Sequence, residues 1–237
     1  MDYIEIKNLN VGYGSKTVVG QISFNIAKGD YICVVGQNGS GKSTFLNTFL
    51  GLIPKLTGDI IYNAPITQKD VGYLSQRSNI QKDFPASVLE VVKSGRLNRM
   101  GRRPFYNKSD KEAAQSALKT MDIVDLSSKC FNSLSGGQQQ RVLLARAMCA
   151  ANKVIFLDEP ASGLDPQSIR DFYKTLANLK NSDISIVMVT HDIEEIAKEA
   201  NKFILFKDGE AHELNQEQYH KYLHNCRICN SEISRAI

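Results

Sequence analysis

The chain has 237 residues, 42% hydrophobic and 23% charged, enough for one large or two small domains around a buried core. Its net charge of +4 is too mild to suggest a nucleic-acid binder, and no apolar run approaches the ~18 residues of a membrane span. The five scattered cysteines make no disulfide framework, and Met1-Asp2-Tyr3-Ile4-Glu5 alternates like a strand rather than opening a secretory signal, so a cytoplasmic protein is expected, one that meets a membrane only through a partner.

The first third reads mostly as strand. Ile4-Glu5-Ile6 and Ile22-Ser23-Phe24-Asn25-Ile26 alternate with period two, and Lys28-Gly29-Asp30 turns the chain into the apolar run Tyr31-Ile32-Cys33-Val34-Val35. Such a run suits a parallel strand buried on both faces. The residues that follow, 36–44, read GQNGSGKST and fit G-x-x-x-x-G-K-[ST], the phosphate-binding loop, while 44–50 can continue as a helix. The chemistry follows from the residue types. Gly36, Gly39 and Gly41 let the backbone curl its N–H groups toward an anion, and the helix presents its positive end to the same place. Lys42 can reach outer phosphates, and the Ser43 hydroxyl can ligate Mg²⁺. Residues 58–62 and 71–74 are further predicted strands.

The middle, from about Ser87 to Met148, reads as helix, with Asp110 to Met121 starting behind a Ser109 cap and Arg141 to Ala150 a second strong helix. Just before the latter, Leu134-Ser135-Gly136-Gly137-Gln138 is a second glycine-rich helix start and a second possible anion site. The last third returns to buried strands at 154–157 and 184–189, separated by a helix from Pro166 to Lys180. An α/β core with a parallel sheet and a helical insertion is expected. Asp158 and Glu159 close the first of these strands, at the edge where ligands bind in a parallel sheet. Asp158 suits Mg²⁺ held through water, and Glu159 suits polarising an attacking water.

In this order the motifs resemble the ATP-binding cassette ATPase subunits of ABC transporters, across nearly the whole chain. The resemblance implies a P-loop NTPase (RecA-like) core with an N-terminal antiparallel β subdomain (about 1–76 and 151–215), a helical subdomain (about 77–150) and a tail (about 216–237). It implies ATP bound by Gly36, Asn38, Gly39, Ser40, Gly41, Lys42, Ser43 and Thr44, with Tyr13 stacked on adenine and Ser135, Gly136, Gly137 and Gln138 as the signature. Ser43, Gln76 and Asp158 would hold Mg²⁺. Glu159 would be the catalytic base, assisted by Lys42, Gln76 and the switch histidine His191, and Ser162-Gly163-Leu164-Asp165 would cross the dimer interface. Two cassettes would pack head to tail, each ATP lying between the loop of one and the signature of the other, on the cytoplasmic face of a membrane beneath a separate permease.

The stretch after Gln76, with Phe84-Pro85 before a helix capped by Ser87, suits a contact surface and resembles the cassettes of bacterial zinc and manganese importers. That resemblance implies a divalent-metal cargo and an extracytoplasmic binding protein. Other cargo, such as iron complexes or haem, and a non-transport ABC ATPase are the alternatives; a P-loop kinase would leave the signature and His191 unexplained. Arg96, Arg99, Arg102 and Arg103 are expected to form a solvated face that could also approach lipid headgroups or the permease. His220, His224, Cys226 and Cys229 crowd the tail and mix imidazole with thiol, either as a regulatory Zn²⁺ site or as incidental residues of a helix. Cys33 and Cys149 are expected in the core.

Overall fold

The computed structural model describes residues 1–75, 85–151, 153–179, 184–190 and 199–233, with backbone only for 225–233. β1 (Asp2–Tyr13) and β2 (Lys16–Ala27) form a long antiparallel hairpin, and β4 (Thr57–Tyr62) pairs on the outer side of β1. β3 (Tyr31–Gly36), β5 (Val71–Leu74), β6 (Val154–Asp158), β7 (Ser185–Val189) and β8 (Lys202–Lys207) form a parallel block. β9 (Glu210–Leu214) pairs antiparallel with β8 and touches β2, so the sheet runs β4-β1-β2-β9-β8-β3-β7-β6-β5.

The register sets the active edge. Val34 of β3 pairs with Val189 of β7, and Val189 pairs with Asp158 of β6. The carboxyl ends of three adjacent strands therefore lie level, with β3 and β6 about 10 Å apart at ordinary strand spacing. β3 and β7 are buried along their length apart from Gly36, which accounts for runs that are apolar without alternating.

Helix α1 (Lys42–Phe49) is fastened to one face by Phe45 and Phe49, which pack against Phe24, Phe206 and Phe156 at ring separations of 4.3–5.8 Å. The other face carries α5 (Gly136–Ala150) and α6 (Pro166–Leu179) in a second apolar cluster with Leu144, Phe172 and Leu176. α2 (Val88–Ser94), α3 (Leu97–Met100) and α4 (Lys108–Thr120) pack around α5 as a helical block. Cys33 and Cys149 are buried, as expected. Among the described residues no helix is long and apolar enough to cross a membrane.

Three local expectations are corrected. α4 begins at Lys108 behind Asn107, not Ser109: Asn107 Oδ1 accepts from the Asp110 N–H at 2.9 Å while the Asp110 carboxylate accepts from the Asn107 N–H at 3.0 Å. That reciprocal pair satisfies two orphan donors, which Ser109 inside the turn cannot match. The arginine cluster is not a solvated face. Arg96 and Arg103 each bond the fully buried Asp110 at 3.0 Å, and Arg99 bonds Asp70 at 2.7 Å; Arg102 alone is exposed. Finally, β1 and β2, at 12 residues each, run well beyond their alternating segments at 4–6 and 22–26. Asn8 (φ 46°) and Gln21 (φ 53°) sit in the left-handed region at register shifts that break the alternation, so period two is lost while pairing continues.

Candidate active site

The phosphate loop spans the joint between β3 and α1. Gly36 (φ 152°) and Gly41 (φ 96°) hold backbone conformations that L side chains seldom adopt. A Cβ on Gly36 would run into the Phe206 carbonyl, and one on Gly41 into Val19, so β8 and β2 form the walls of the loop. Gly41 caps α1 without any side-chain bond, leaving the first-turn N–H groups to face the loop. The Ser40 hydroxyl is buried and has no hydrogen-bond partner. A walled backbone cradle with an orphaned hydroxyl and an open helix N-terminus fits a phosphate group.

Lys42 is only 6% exposed and donates from Nζ to the carbonyls of Gly36 and Gln37, both at 2.8 Å. Burial lowers its pKa, and the nearby charges of Glu159 and Asp158 work against that. Ser43 is exposed one residue on, and Thr44 is buried under the loop.

Asp158 and Glu159 emerge from β6 at the level edge. Asp158 accepts a long, 3.5 Å hydrogen bond from Tyr73 of β5, whose phenol is pushed up to about 12 by burial and then by that carboxylate. The Glu159 N–H donates to the Val189 carbonyl at 2.8 Å and extends the ladder by one residue, yet its φ is +45°. A non-glycine residue held there stores strain of order 1–3 kcal/mol, of the kind that gathers at active sites. Oxygen ligands, a serine hydroxyl and an acid, are the donor set that a hard divalent cation such as Mg²⁺ takes.

The signature turn is built separately, at the start of α5. Ser135 and Gln138 form a reciprocal capping box. The two glycines have a packing reason: a Cβ on Gly137 would come within 2.8 Å of Ser168 Oγ, and one on Gly136 within 3.4 Å of Leu164. The helix start is thereby pressed onto the 162–165 loop and the first turn of α6, which Asp165 caps by accepting from the N–H groups of Gln167 and Ser168. The same loop leaves Glu159 directly, since the Ser162 N–H donates to the Glu159 carbonyl at 3.1 Å. Signature and carboxylates are thus linked through eight consecutive positions.

Tyr13 stands at the end of β1 and is 57% exposed. Gln76, Phe84 and His191 lie outside the described residues. Tyr73 and Ser168 escaped the sequence reading because their contacts depend on strand order and helix packing. In the tail, α7 (Gln216–Ile233) is anchored by Tyr219 stacked on Phe203 at 4.0 Å, with His220 and His224 exposed. The side chains of Cys226 and Cys229 lie outside the described set, and among the described residues no three metal-ligating side chains gather.

A phosphate loop at a parallel strand end, level with two carboxylates two strands away, defines a P-loop nucleoside triphosphatase. The glycine-rich start of α5 narrows the class. The family model described as ABC transporter matches residues 19–162, and the chain belongs to that family of ATP-binding, ATP-hydrolysing transporter subunits, which use ATP with Mg²⁺ and work with membrane permeases. A second model, described as an AAA domain of a putative AbiEii toxin, matches 130–197. The chain is 40% identical over 194 residues to the manganese transport system ATP-binding protein MntB of Bacillus subtilis, covering 81% of this chain and 78% of that one. It is 38% identical over 223 residues to the zinc uptake system ATP-binding protein ZurA of Listeria innocua, covering 89% and 86%. Among solved structures, an inward-facing putative metal-chelate type ABC transporter superposes with a TM-score of 0.81 at 31% identity, over 92% of this chain and 84% of that one. The ADP conformation of an ATP-binding cassette, at 24% identity and a TM-score of 0.82, shares the fold.

Proposed function

We propose that this subunit closes as a head-to-tail dimer on two ATP molecules and drives import of manganese or zinc through a separate permease at the cytoplasmic face of the membrane. The observation that carries the ATP reading is the level edge, where the Gly36 loop and Asp158-Glu159 face one space. The exposed, self-capped start of α5 supports the dimer, because Ser135 and Gly136 are open to a second copy. The metal cargo, and an extracytoplasmic binding protein to deliver it, rest on the names of the relatives.

In this reading the loop N–H groups and Lys42 bind the β- and γ-phosphates, and Tyr13 stacks on adenine. Ser43, Asp158 and Gln76 hold Mg²⁺, which when bound neutralises charge on the phosphate oxygens. Glu159 orients the attacking water and accepts its proton. His191 contacts the γ-phosphate and holds that geometry. Ser135, Gly136, Gly137 and Gln138 complete the partner's site from across the interface. Phosphoryl transfer depends chiefly on such positioning and charge stabilisation. The permease side is the cleft of about 370 Å³ between β5 and α2, α3 and α5, which Ser75 borders just before Gln76 and where Leu97 is 59% exposed.

Replacing the native gene with a Glu159→Gln allele should lower cellular manganese or zinc under limiting supply and leave iron unchanged. Normal levels of both metals would refute the cargo. The tail cluster His220, His224, Cys226 and Cys229 is read as a regulatory zinc site. Equilibrium dialysis that finds equal zinc on the full chain and on a Cys226→Ser, Cys229→Ser variant rejects it.

A further inference from the structure

The end of α5 opposite the signature is held in an unusual way. A Cβ on Gly72 of β5 would strike the Ala147 carbonyl, and one on Gly95, between α2 and α3, would strike the Arg146 carbonyl. Sheet and helical block therefore approach the backbone of the last turn of α5 from two sides. Into that joint reaches Arg99. Its Nε donates to the carbonyl of Ala150, the final residue of α5, at 3.0 Å. Its Nη2 donates to the Lys69 carbonyl at 3.0 Å and to the Asp70 carboxylate at 2.7 Å, on the turn that enters β5. Burial pushes the Asp70 carboxyl up, but the bonds from Arg99 and Thr67 outweigh it and hold the group below the ordinary carboxylate range. Arg96 adds a weaker bond to the Cys149 carbonyl but is otherwise tied within the helical block, to Asp110.

One planar guanidinium thus joins the C-terminal end of the signature helix to the sheet, and its fork fixes direction as well as distance. Cations at a helix C-terminus also satisfy its orphan carbonyls and complement its dipole. The signature lies at the other end of the same helix, about 22 Å away at 1.5 Å per residue. A small rotation at the clamp becomes a displacement of several ångströms at residues 135–138.

We propose that Arg99 is a positioning residue for ATP closure: its clamp on Ala150 and Asp70 is the pivot that sets where the start of α5 meets the ATP of a second cassette. This rests on the head-to-tail reading above. The cleft beneath the clamp, lined by Val71, Asn98 and Ala150 among others, gives a partner element a lever on the same pivot.

The test uses the full chain in a Glu159→Gln background, with dimer formation followed by sedimentation against ATP concentration. Adding Arg99→Gln should raise the ATP needed for half-maximal dimer about tenfold, as expected for losing bonds to a charged group, with MgADP affinity unchanged. Arg99→Lys should recover only part of this, because one ammonium cannot fork across both partners. Arg103→Gln, which breaks an ion pair to Asp110 and touches Arg99 only through a long 3.5 Å bond to its backbone carbonyl, should lower the melting temperature without moving the ATP dependence. Equal shifts for Arg99→Gln and Arg103→Gln, or none for Arg99→Gln, overturn the clamp while leaving the dimer standing. If the Glu159→Gln parent itself stays monomeric at saturating ATP, the head-to-tail reading falls and this inference with it.

Discussion

Replacing Lys42 by methionine separates a binding role from a structural one. The ammonium is nearly sealed from water, satisfied by two loop carbonyls at 2.8 Å, and its pKa is lowered by burial. Removing it takes away a desolvated charge and also two charge-assisted bonds, opposing effects of roughly 1–3 kcal/mol each. Methionine fills most of the volume, and the carbonyl of exposed Gln37 can turn to water. The ligand-free protein should therefore keep its stability to within about 1 kcal/mol, a shift of ~2–4 °C in Tm for a chain of this size. The nucleotide effect should vanish instead. At an ATP concentration of about 100 times Kd, linkage adds about 2.7 kcal/mol to wild type, or roughly 5–11 °C. Differential scanning fluorimetry with and without MgATP reads both quantities. A variant that melts more than about 10 °C early without ligand, yet keeps the full ATP shift, would refute the assignment of Lys42 to the phosphates.

Other substitutions probe the remaining parts. Asp110→Ala removes a buried carboxylate from two arginines and a helix cap, and should cost about 3 kcal/mol, the low end for breaking a buried pair because Arg103 is 38% exposed; urea unfolding gives the value. Burial raises the Asp110 carboxyl, but bonds from Asn107, Arg96 and Arg103 outweigh it and leave it depressed, so its contribution should be complete above about pH 4 and disappear as pH falls through the lower folded value. Acid unfolding of Asp110→Asn should accordingly depend less on pH below about 4 than wild type does. Gly137→Val crowds the Ser168 side chain at the start of α5 and should lower ATP turnover about 100-fold with MgADP affinity intact, as misplacement of the signature turn would. Tyr13→Ala should weaken nucleotide binding about tenfold and Tyr13→Phe should not, the difference expected of a stacked ring, measured by fluorescent-nucleotide titration.

The phosphate loop, the strand before it and the paired carboxylates were legible because each depends on local residue type: β-branched runs for buried strands, glycines for a curled backbone, acids at a strand end. β8 and β9 also carry a local signal, since Lys202-Phe203-Ile204-Leu205-Phe206-Lys207 followed by Asp208-Gly209 is a hairpin pattern, one not among the strands expected from the sequence. What sequence spacing cannot carry is the level register of Val34, Val189 and Asp158, because strand order is not chain order. The arginine cluster was misread for a related reason. Four arginines within eight positions look like a solvated face until the fold brings Asp70 and Asp110 beneath three of them.

In the proposed dimer the loop at Gly36 is half of an ATP site, and a second copy supplies the rest. Sedimentation of Glu159→Gln with MgATP and with MgADP tests it most directly. Loss of the group that orients water should slow turnover by about 10²–10⁴-fold and trap the closed state, giving a stable dimer with ATP and a monomer with ADP. A monomer at saturating ATP would rule out closure between two copies, and turnover at the wild-type rate would rule out Glu159 as the base.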